Sequence, residues 1–231
     1  MAANDFSSEV AENYEQKCLC VLVLDVSGSM GGAPIAELNK GLQDFYNEIS
    51  GDPNTRQRLE VSLVTFSHEV KTIQPPALVE NFNMPQLMAL GNTRTVDAIK
   101  DAIDIVAARK AWYKTTNQTY YRPWIILMTD GEPDYGQDIE GIAQQIKHDT
   151  ENKKYVFLPI GVGPDANMGV LHKMEGTTNG KPMSAVKLQG IKFSSFFKWL
   201  SASLGTIVKG TEGQQINLSA GRDDWMDSFD I

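Results

Sequence analysis

Three short segments carry oxygen-bearing side chains from which a cation site could be built. Asp25, Ser27 and Ser29 alternate in a glycine-containing stretch, Asp130 follows a later apolar run, and Thr93 lies between them in the sequence. Carboxylate and hydroxyl oxygens are hard donors that suit Mg²⁺, Mn²⁺ or Ca²⁺. Alternate spacing in a turn that leaves a strand lets several side chains converge, and nearby glycines relieve crowding.

The chemistry expected of this side-chain set is binding. Two carboxylates and three neutral hydroxyls would surround the dication, and Mg²⁺ takes six ligands. We therefore expect water at the remaining positions, and a carboxylate from another molecule could replace one of these waters. Each motif alone could be structural, with Asp25 capping a helix and the serines stabilising a turn. Their combination after successive apolar runs favours the metal site.

The elements that position these side chains are strands and helices in alternation. Six apolar runs predict strands, at residues 18–24, 61–66, 68–73, 124–129, 155–162 and 185–188. The third run is expected to pair with the second as a short edge hairpin that ends at Pro75 and Pro76.

Apolar residues at helical spacing predict helices after most of these strands. The helices are expected after Pro34, from Val96, from Ile139, around Val170 and from Phe193. The aromatic stripe of the last helix is typical of core packing. The pattern predicts an α/β fold: a doubly wound, mostly parallel six-stranded sheet with one antiparallel edge strand and helices on both faces.

Ligands of such sheets gather at the carboxyl ends of the strands, where Asp25 and Asp130 stand. We expect a polar N-terminal segment (residues 1–16), one domain (17–210) and an acidic C-terminal tail (211–231). Apolar residues alternate with aspartates at the end of the tail, DDWMDSFDI. Three interpretations of the tail are open: a solvated terminus, a docking segment for a partner, or a segment that binds the metal site of a neighbouring copy.

Composition excludes several classes of function. The formal charge of -8 argues against a nucleic-acid partner, which needs a concentrated basic face. No apolar stretch is long enough for a membrane span, and the polar N-terminus does not resemble a signal peptide. Cys18 and Cys20 are too close along a strand to pair, so we expect buried free thiols and a cytoplasmic location. His68, His148 and His172 stand apart, which argues against a Cys/His metal site.

Phosphoryl transfer is the strongest alternative, with Asp25 as a nucleophile or phosphoacceptor after a buried strand. Phosphatases of this kind place a second acid two residues later, where this chain has Ser27. Residues 176–181 lack the full spacing of a phosphate loop and predict a turn. Ser27 and Ser29 lack the surroundings of a hydrolase nucleophile.

Residues 23–30, VLDVSGSM, resemble the metal-ion-dependent adhesion site of von Willebrand factor A domains. Residues 91–93 and 128–133 resemble its second and third loops, and the resemblance extends over about residues 17–208. It implies that Ser27, Ser29 and Thr93 contact the metal directly, whereas Asp25 and Asp130 act largely through bound water. The family usually has a second glycine at position 92 and often one at position 96; this chain lacks both, which leaves Thr95 as the alternative to Thr93.

Within the family, the chain is similar to the TerY-like branch of small bacterial proteins associated with tellurite resistance. Residues 128–133 and 157–163 carry this similarity. It implies a cytoplasmic scaffold that works with a protein kinase and a phosphatase. The expected function is metal-dependent binding of a partner protein, without catalysis, through Mg²⁺ or else Mn²⁺ or Ca²⁺.

Overall fold

The computed structural model describes residues 5–82, 84–130, 133–164, 166–188, 190 and 192–210. The tail therefore lies outside the described residues. The strands are Cys18–Asp25 (β1), Leu59–Phe66 (β2), Val70–Leu78 (β3), Trp124–Thr129 (β4), Val156–Gly161 (β5), Gly176–Thr178 (β6), Lys181–Met183 (β7) and Val186–Lys187 (β8). The helices are Ala33–Gly51 (α1), Pro53–Arg58 (α2), Thr95–Thr115 (α3), Ile139–Glu151 (α4), Met168–Lys173 (α5) and Phe193–Lys209 (α6).

Six strands form one sheet in the order β3-β2-β1-β4-β5-β8. Neighbouring strands are parallel, except that β3 runs antiparallel to β2. The predicted fold class is confirmed. The chain extends the sheet from β1 through β2 in one direction and from β4 through β5 in the other. The carboxyl ends of β1 and β4 therefore flank the switch point where such sheets bind ligands.

Two hydrophobic layers cover the sheet, as the alternation of side chains along β1 shows. Cys18, Cys20 and Leu22 belong to the layer that includes α1 and α6, whereas Leu19 and Val21 face the layer of α3 and α4. Side chains alternate between the faces of a strand, so both faces of β1 are buried. The cysteines are free and buried as expected, and burial raises the pKa of the Cys18 thiol to about 12. No helix in the described part of the chain combines the length and apolar character needed to cross a lipid bilayer.

The structure corrects the predicted end of the edge strand. Pro75 and Pro76 do not terminate β3, which continues to Leu78 with register shifts opposite β2. An edge strand tolerates proline because one row of its backbone groups has no strand to bond. Residues 176–181, which were predicted to form only a turn, contain all of β6 and the start of β7, and the turn of this hairpin is confined to Asn179 and Gly180, both at positive φ. Asn-Gly is the sequence most typical of such a two-residue turn.

The amino end of the sheet is closed by a buried ion pair. Arg109 of α3 donates to both carboxylate oxygens of Glu60 at 2.7 and 2.9 Å, and the Tyr113 hydroxyl donates to the same carboxylate at 2.6 Å. The described part of the N-terminal segment covers this pair, since Phe6 is buried beside the guanidinium and Glu9 forms a second ion pair with it. These contacts lie at the end of the sheet opposite the predicted site.

We predict that Gly41→Ala lowers the free energy of unfolding by about 1–3 kcal/mol, because it overpacks the contact between α1 and α6. A Cβ atom at Gly41 would lie 2.8 Å from Cδ2 of Phe197 and 3.1 Å from the backbone carbon of Phe193. Gly51→Ala is the matched control, since a Cβ there meets nothing within 4 Å. Urea denaturation of both variants checks the prediction, and equal stabilities would contradict it.

Candidate metal centre

Asp25 is the most deeply buried residue of the candidate centre. It ends β1 beside Thr129, which ends the paired strand β4. The Thr129 hydroxyl donates to Asp25 Oδ2 at 2.6 Å, and the backbone N–H of Ser27 donates to Oδ1 at 2.8 Å. Burial raises the pKa of Asp25 to about 6, and the hydrogen bonds from Ser27 and Thr129 act in the opposite direction. A buried carboxylate in this state favours a nearby cation.

Three side-chain oxygens form a row beside this carboxylate. The hydroxyls of Ser27 and Ser29 are 3.0 Å apart, and Ser29 Oγ donates to Asp130 Oδ1 at 2.8 Å. Mg²⁺ holds its ligands at roughly 2.0–2.1 Å in an octahedron, which sets neighbouring ligand oxygens roughly 3 Å apart. The row therefore fits the spacing that such an ion requires. Burial raises the pKa of Asp130 as well.

A tight turn brings the hydroxyls of Ser27 and Ser29 close together. Residues 28–30 form a 3₁₀ turn, in which Met30 N donates to Ser27 O and Gly31 N donates to Gly28 O, each at 3.1 Å. Gly32 then adopts a φ of 81°, which glycine reaches without strain, before α1 begins. The alternation of Asp25, Ser27 and Ser29 thus places all three on the same side of the loop.

The loop that bears Thr93 is bonded to this first loop through the backbone. Gly28 N donates to Gly91 O at 2.9 Å, and Leu90 N donates to Val26 O at 2.8 Å. Gly91 has a φ of 90°, and a Cβ atom there would lie 2.5 Å from His68 Nδ1. Glycine is therefore required at position 91 by both conformation and space.

The loop after β4 holds Thr93 from the other side. Thr93 N donates to Asp134 Oδ2 at 3.1 Å, and Asp134 N donates back to Thr93 O at 3.0 Å. Gln137 Nε2 also donates to Thr93 O at 2.8 Å, while its Oε1 accepts from Val96 N at 2.7 Å. The loop after β4 thus holds Thr93 itself, whereas the first loop holds its neighbours Leu90 and Gly91. Thr95, the alternative, is fully buried as the first residue of α3.

The structure brings Asp25, Ser27, Ser29 and Asp130 into one hydrogen-bonded cluster and places Thr93 on the adjoining loop. Sequence reasoning missed the residues that position this set, which are Thr129, Asp134 and Gln137. The position of Thr129 at the end of the strand before Asp130 was a usable signal. No sequence signal pointed to Gln137, because its partners Val96 and Thr93 are 41 and 44 residues away.

The predicted donor set consists of two carboxylates and three hydroxyls. Accordingly, no group of three or more His, Cys, Asp or Glu side chains able to hold a metal ion occurs among the residues that the structure describes. This fits a hard, oxygen-preferring cation, because soft or borderline ions favour thiolate and imidazole ligands.

We predict that Gln137→Ala lowers the free energy of unfolding by about 1–3 kcal/mol, since the variant leaves the part-buried Val96 N without its partner and removes one of the two hydrogen bonds to Thr93 O. Gln43→Ala removes an exposed glutamine that bonds only within α1, to Asn47, and should change stability by less than about 0.5 kcal/mol. Chemical denaturation measures both. Similar stabilities would show that Gln137 does not hold the loops together.

Comparison with known proteins matches this arrangement to one family. The model of the von Willebrand factor type A domain matches residues 20–191. Inter-alpha-trypsin inhibitor heavy chain H4 from Homo sapiens is 28% identical over 167 residues, which is 67% of this chain and 17% of the relative. The Bos taurus protein gives the same identity and coverage. The chain therefore spans less than a fifth of the length of these curated relatives.

Solved structures share the fold. The vWF domain of the type V pili tip protein Mfa5 from Porphyromonas gingivalis has a TM-score of 0.59 at 12% identity, covering 87% of this chain and 99% of that one. The pilus adhesin SpaC from Lactobacillus rhamnosus GG has a TM-score of 0.61 at 13% identity, over 83% and 31% of the two chains. Proximal thread matrix protein 1 from the mussel byssus, with a zinc-occupied MIDAS motif, has a TM-score of 0.54 at 15% identity, over 83% and 48%.

Proposed function

Because the chain belongs to the von Willebrand factor type A domain family, we propose that it binds a partner protein through a divalent cation held by Asp25, Ser27, Ser29, Thr93 and Asp130. The observation that carries this proposal is the row of oxygens from Ser27 to Asp130, spaced as neighbouring metal ligands are, beside a buried carboxylate. Members of this family commonly mediate protein interactions and bind a divalent metal at this place in the fold. We propose Mg²⁺, because the donor set contains only oxygens.

The roles of the side chains follow from their surroundings. Asp25 contributes negative charge from the buried side of the centre, while its oxygens stay bonded to Ser27 N and Thr129 Oγ1. Ser29 is exposed and Asp130 half-buried, so this side of the centre faces solvent. A bound cation would supply an electrophilic centre there, to which a carboxylate of the partner could bind.

Binding accounts for the geometry better than phosphoryl transfer does. Asp25 is 0% exposed, and both of its oxygens accept hydrogen bonds, so neither is free to attack a phosphorus atom in line. The position two residues later is a serine that cannot act as an acid at neutral pH. We therefore propose that the chain has no catalytic activity of its own.

We further propose that the chain is a cytoplasmic scaffold of the TerY-like branch, working with a kinase and phosphatase pair in a tellurite-type stress response. The support is the sequence similarity at residues 128–133 and 157–163 together with the buried, free cysteines. The relatives and structures named above do not include a member of that branch.

We predict that Asp25→Ala lowers the affinity for Mg²⁺ by at least about 10-fold, as loss of a supporting carboxylate does at other metal sites. Isothermal calorimetry measures the affinity, and circular dichroism checks that the variant stays folded. Asp104→Ala is the matched control, since Asp104 is exposed on α3 away from the centre. Equal Mg²⁺ affinity of wild type and Asp25→Ala would remove Asp25 from the site.

Partner binding is tested by affinity capture from the cells in which the protein is made, once with Mg²⁺ and once with chelator. We expect a protein retained with Mg²⁺, released by chelator and not retained by Asp25→Ala. Peptide identification then shows whether a kinase or phosphatase is present. A partner that binds equally well in chelator would contradict the metal-dependent mechanism.

A further inference from the structure

A groove with apolar and polar walls borders the loop that bears Asp25 and Ser27. It has a volume of about 320 Å³ and lies between the β2–β3 hairpin and residues 85–90. Its apolar lining includes Val26, Leu87, Met88 and Leu90, and its polar lining includes His68, Glu69 and Lys71. Val26 stands between Asp25 and Ser27, and its Cα is about 3.8 Å from that of Ser27. The groove therefore borders the same loop as the metal-binding side chains.

Exposed apolar side chains gather on this face of the molecule. Met88 is 82% exposed and Leu90 is 70% exposed, and Tyr135, on the loop after β4, is fully exposed. In the part of the chain that the structure describes, the other large exposed apolar residues are Val10 and Tyr14 of the N-terminal segment. The metal face thus combines a cation site with apolar surface, which suits a ligand that alternates carboxylates with apolar side chains.

The chain contains such a ligand in its own tail. Residues 223–231, DDWMDSFDI, hold four aspartates with Trp225, Met226, Phe229 and Ile231 between and after them. An aspartate of this segment could supply a carboxylate ligand to a bound cation, and a neighbouring apolar side chain could then enter the groove. The opposite charges of cation and tail favour the same pairing.

The tail is long enough to reach the metal face. Gly210, the last described residue, accepts a hydrogen bond from Tyr121, whose backbone N–H bonds Lys17 at the amino end of β1. The metal centre lies at the other end of β1, which has 8 residues and is about 26 Å long. Asp223 is 13 positions after Gly210, and a fully extended chain of that length spans at most about 43–47 Å.

We propose that residues 223–231 dock on the metal centre and its groove, through an aspartate on the cation and an apolar side chain against Val26 and Leu90. The inference rests on the proposed function, because it uses the same cation. The docked tail occupies the position of the partner's carboxylate, so a partner must displace it. A partner that binds more weakly than the tail would therefore be excluded from the metal centre.

The test uses a labelled synthetic peptide of residues 221–231 with blocked ends and the full chain. In one variant, Asp223, Asp224, Asp227 and Asp230 are changed to Asn. We expect the peptide to bind this variant with Mg²⁺ and not with chelator, and to bind wild type at least about 10-fold more weakly because the native tail competes. Trp225→Ser with Phe229→Ser keeps the tail charge and should relieve the competition as well.

A groove substitution separates docking from charge attraction. Leu90→Ser, added to the asparagine variant, should lower peptide affinity at least about 10-fold, whereas the matched control Val10→Ser should leave it unchanged. Light scattering in Mg²⁺ tests whether the tail docks within its own chain, as its reach allows. We expect a monomer, whereas a dimer that is lost in the asparagine variant would overturn docking within one chain.

Calorimetry with Mg²⁺ on the same proteins separates the two proposals. If the asparagine variant binds Mg²⁺ but not the peptide, the docking proposal is overturned and the metal centre stands. Equal peptide affinity of wild type and the asparagine variant would also overturn docking. If no variant binds Mg²⁺, the proposed function fails first.

Discussion

The buried carboxylate of Asp25 is the constraint around which the rest of the site is arranged. A charge at the end of a central strand is costly to desolvate, and two hydrogen bonds from Ser27 and Thr129 offset only part of that cost. The pKa of Asp25 is raised because the rest of the desolvation cost is not offset. A cation above the carboxylate would balance the charge, and the hydroxyls of Ser27 and Ser29, which are 3.0 Å apart, are its proposed ligands.

The two ends of the sheet serve different purposes. At the amino end, Arg109, Glu60 and Tyr113 form a closed ionic network, which Phe6 covers. At the carboxyl end, three loops meet through backbone and side-chain hydrogen bonds and leave polar oxygens facing solvent. A binding surface needs this division, because loops that carry function are positioned by a scaffold that does not move with them.

Much of the fold could be predicted from the pattern of residues. The six strands of the main sheet were expected close to their observed positions, because buried parallel strands read as short apolar runs. The edge strand was the error: Pro75 and Pro76 were expected to end β3, although only a central strand must reject proline. In the candidate centre, the clustering of Asp25, Ser27, Ser29 and Asp130 agrees with the prediction, whereas their role as metal ligands stays a prediction.

The sequence by itself determined which side chains could hold a cation, since residue type and alternate spacing at strand ends are local properties. Only the tertiary structure decided how Thr93 is held, through Asp134 and Gln137, and that a groove opens beside Val26. Those features depend on contacts between residues more than 40 positions apart. Such contacts produce no recognisable pattern in the sequence, because a polar residue in a loop can bond any loop that the sheet brings alongside it.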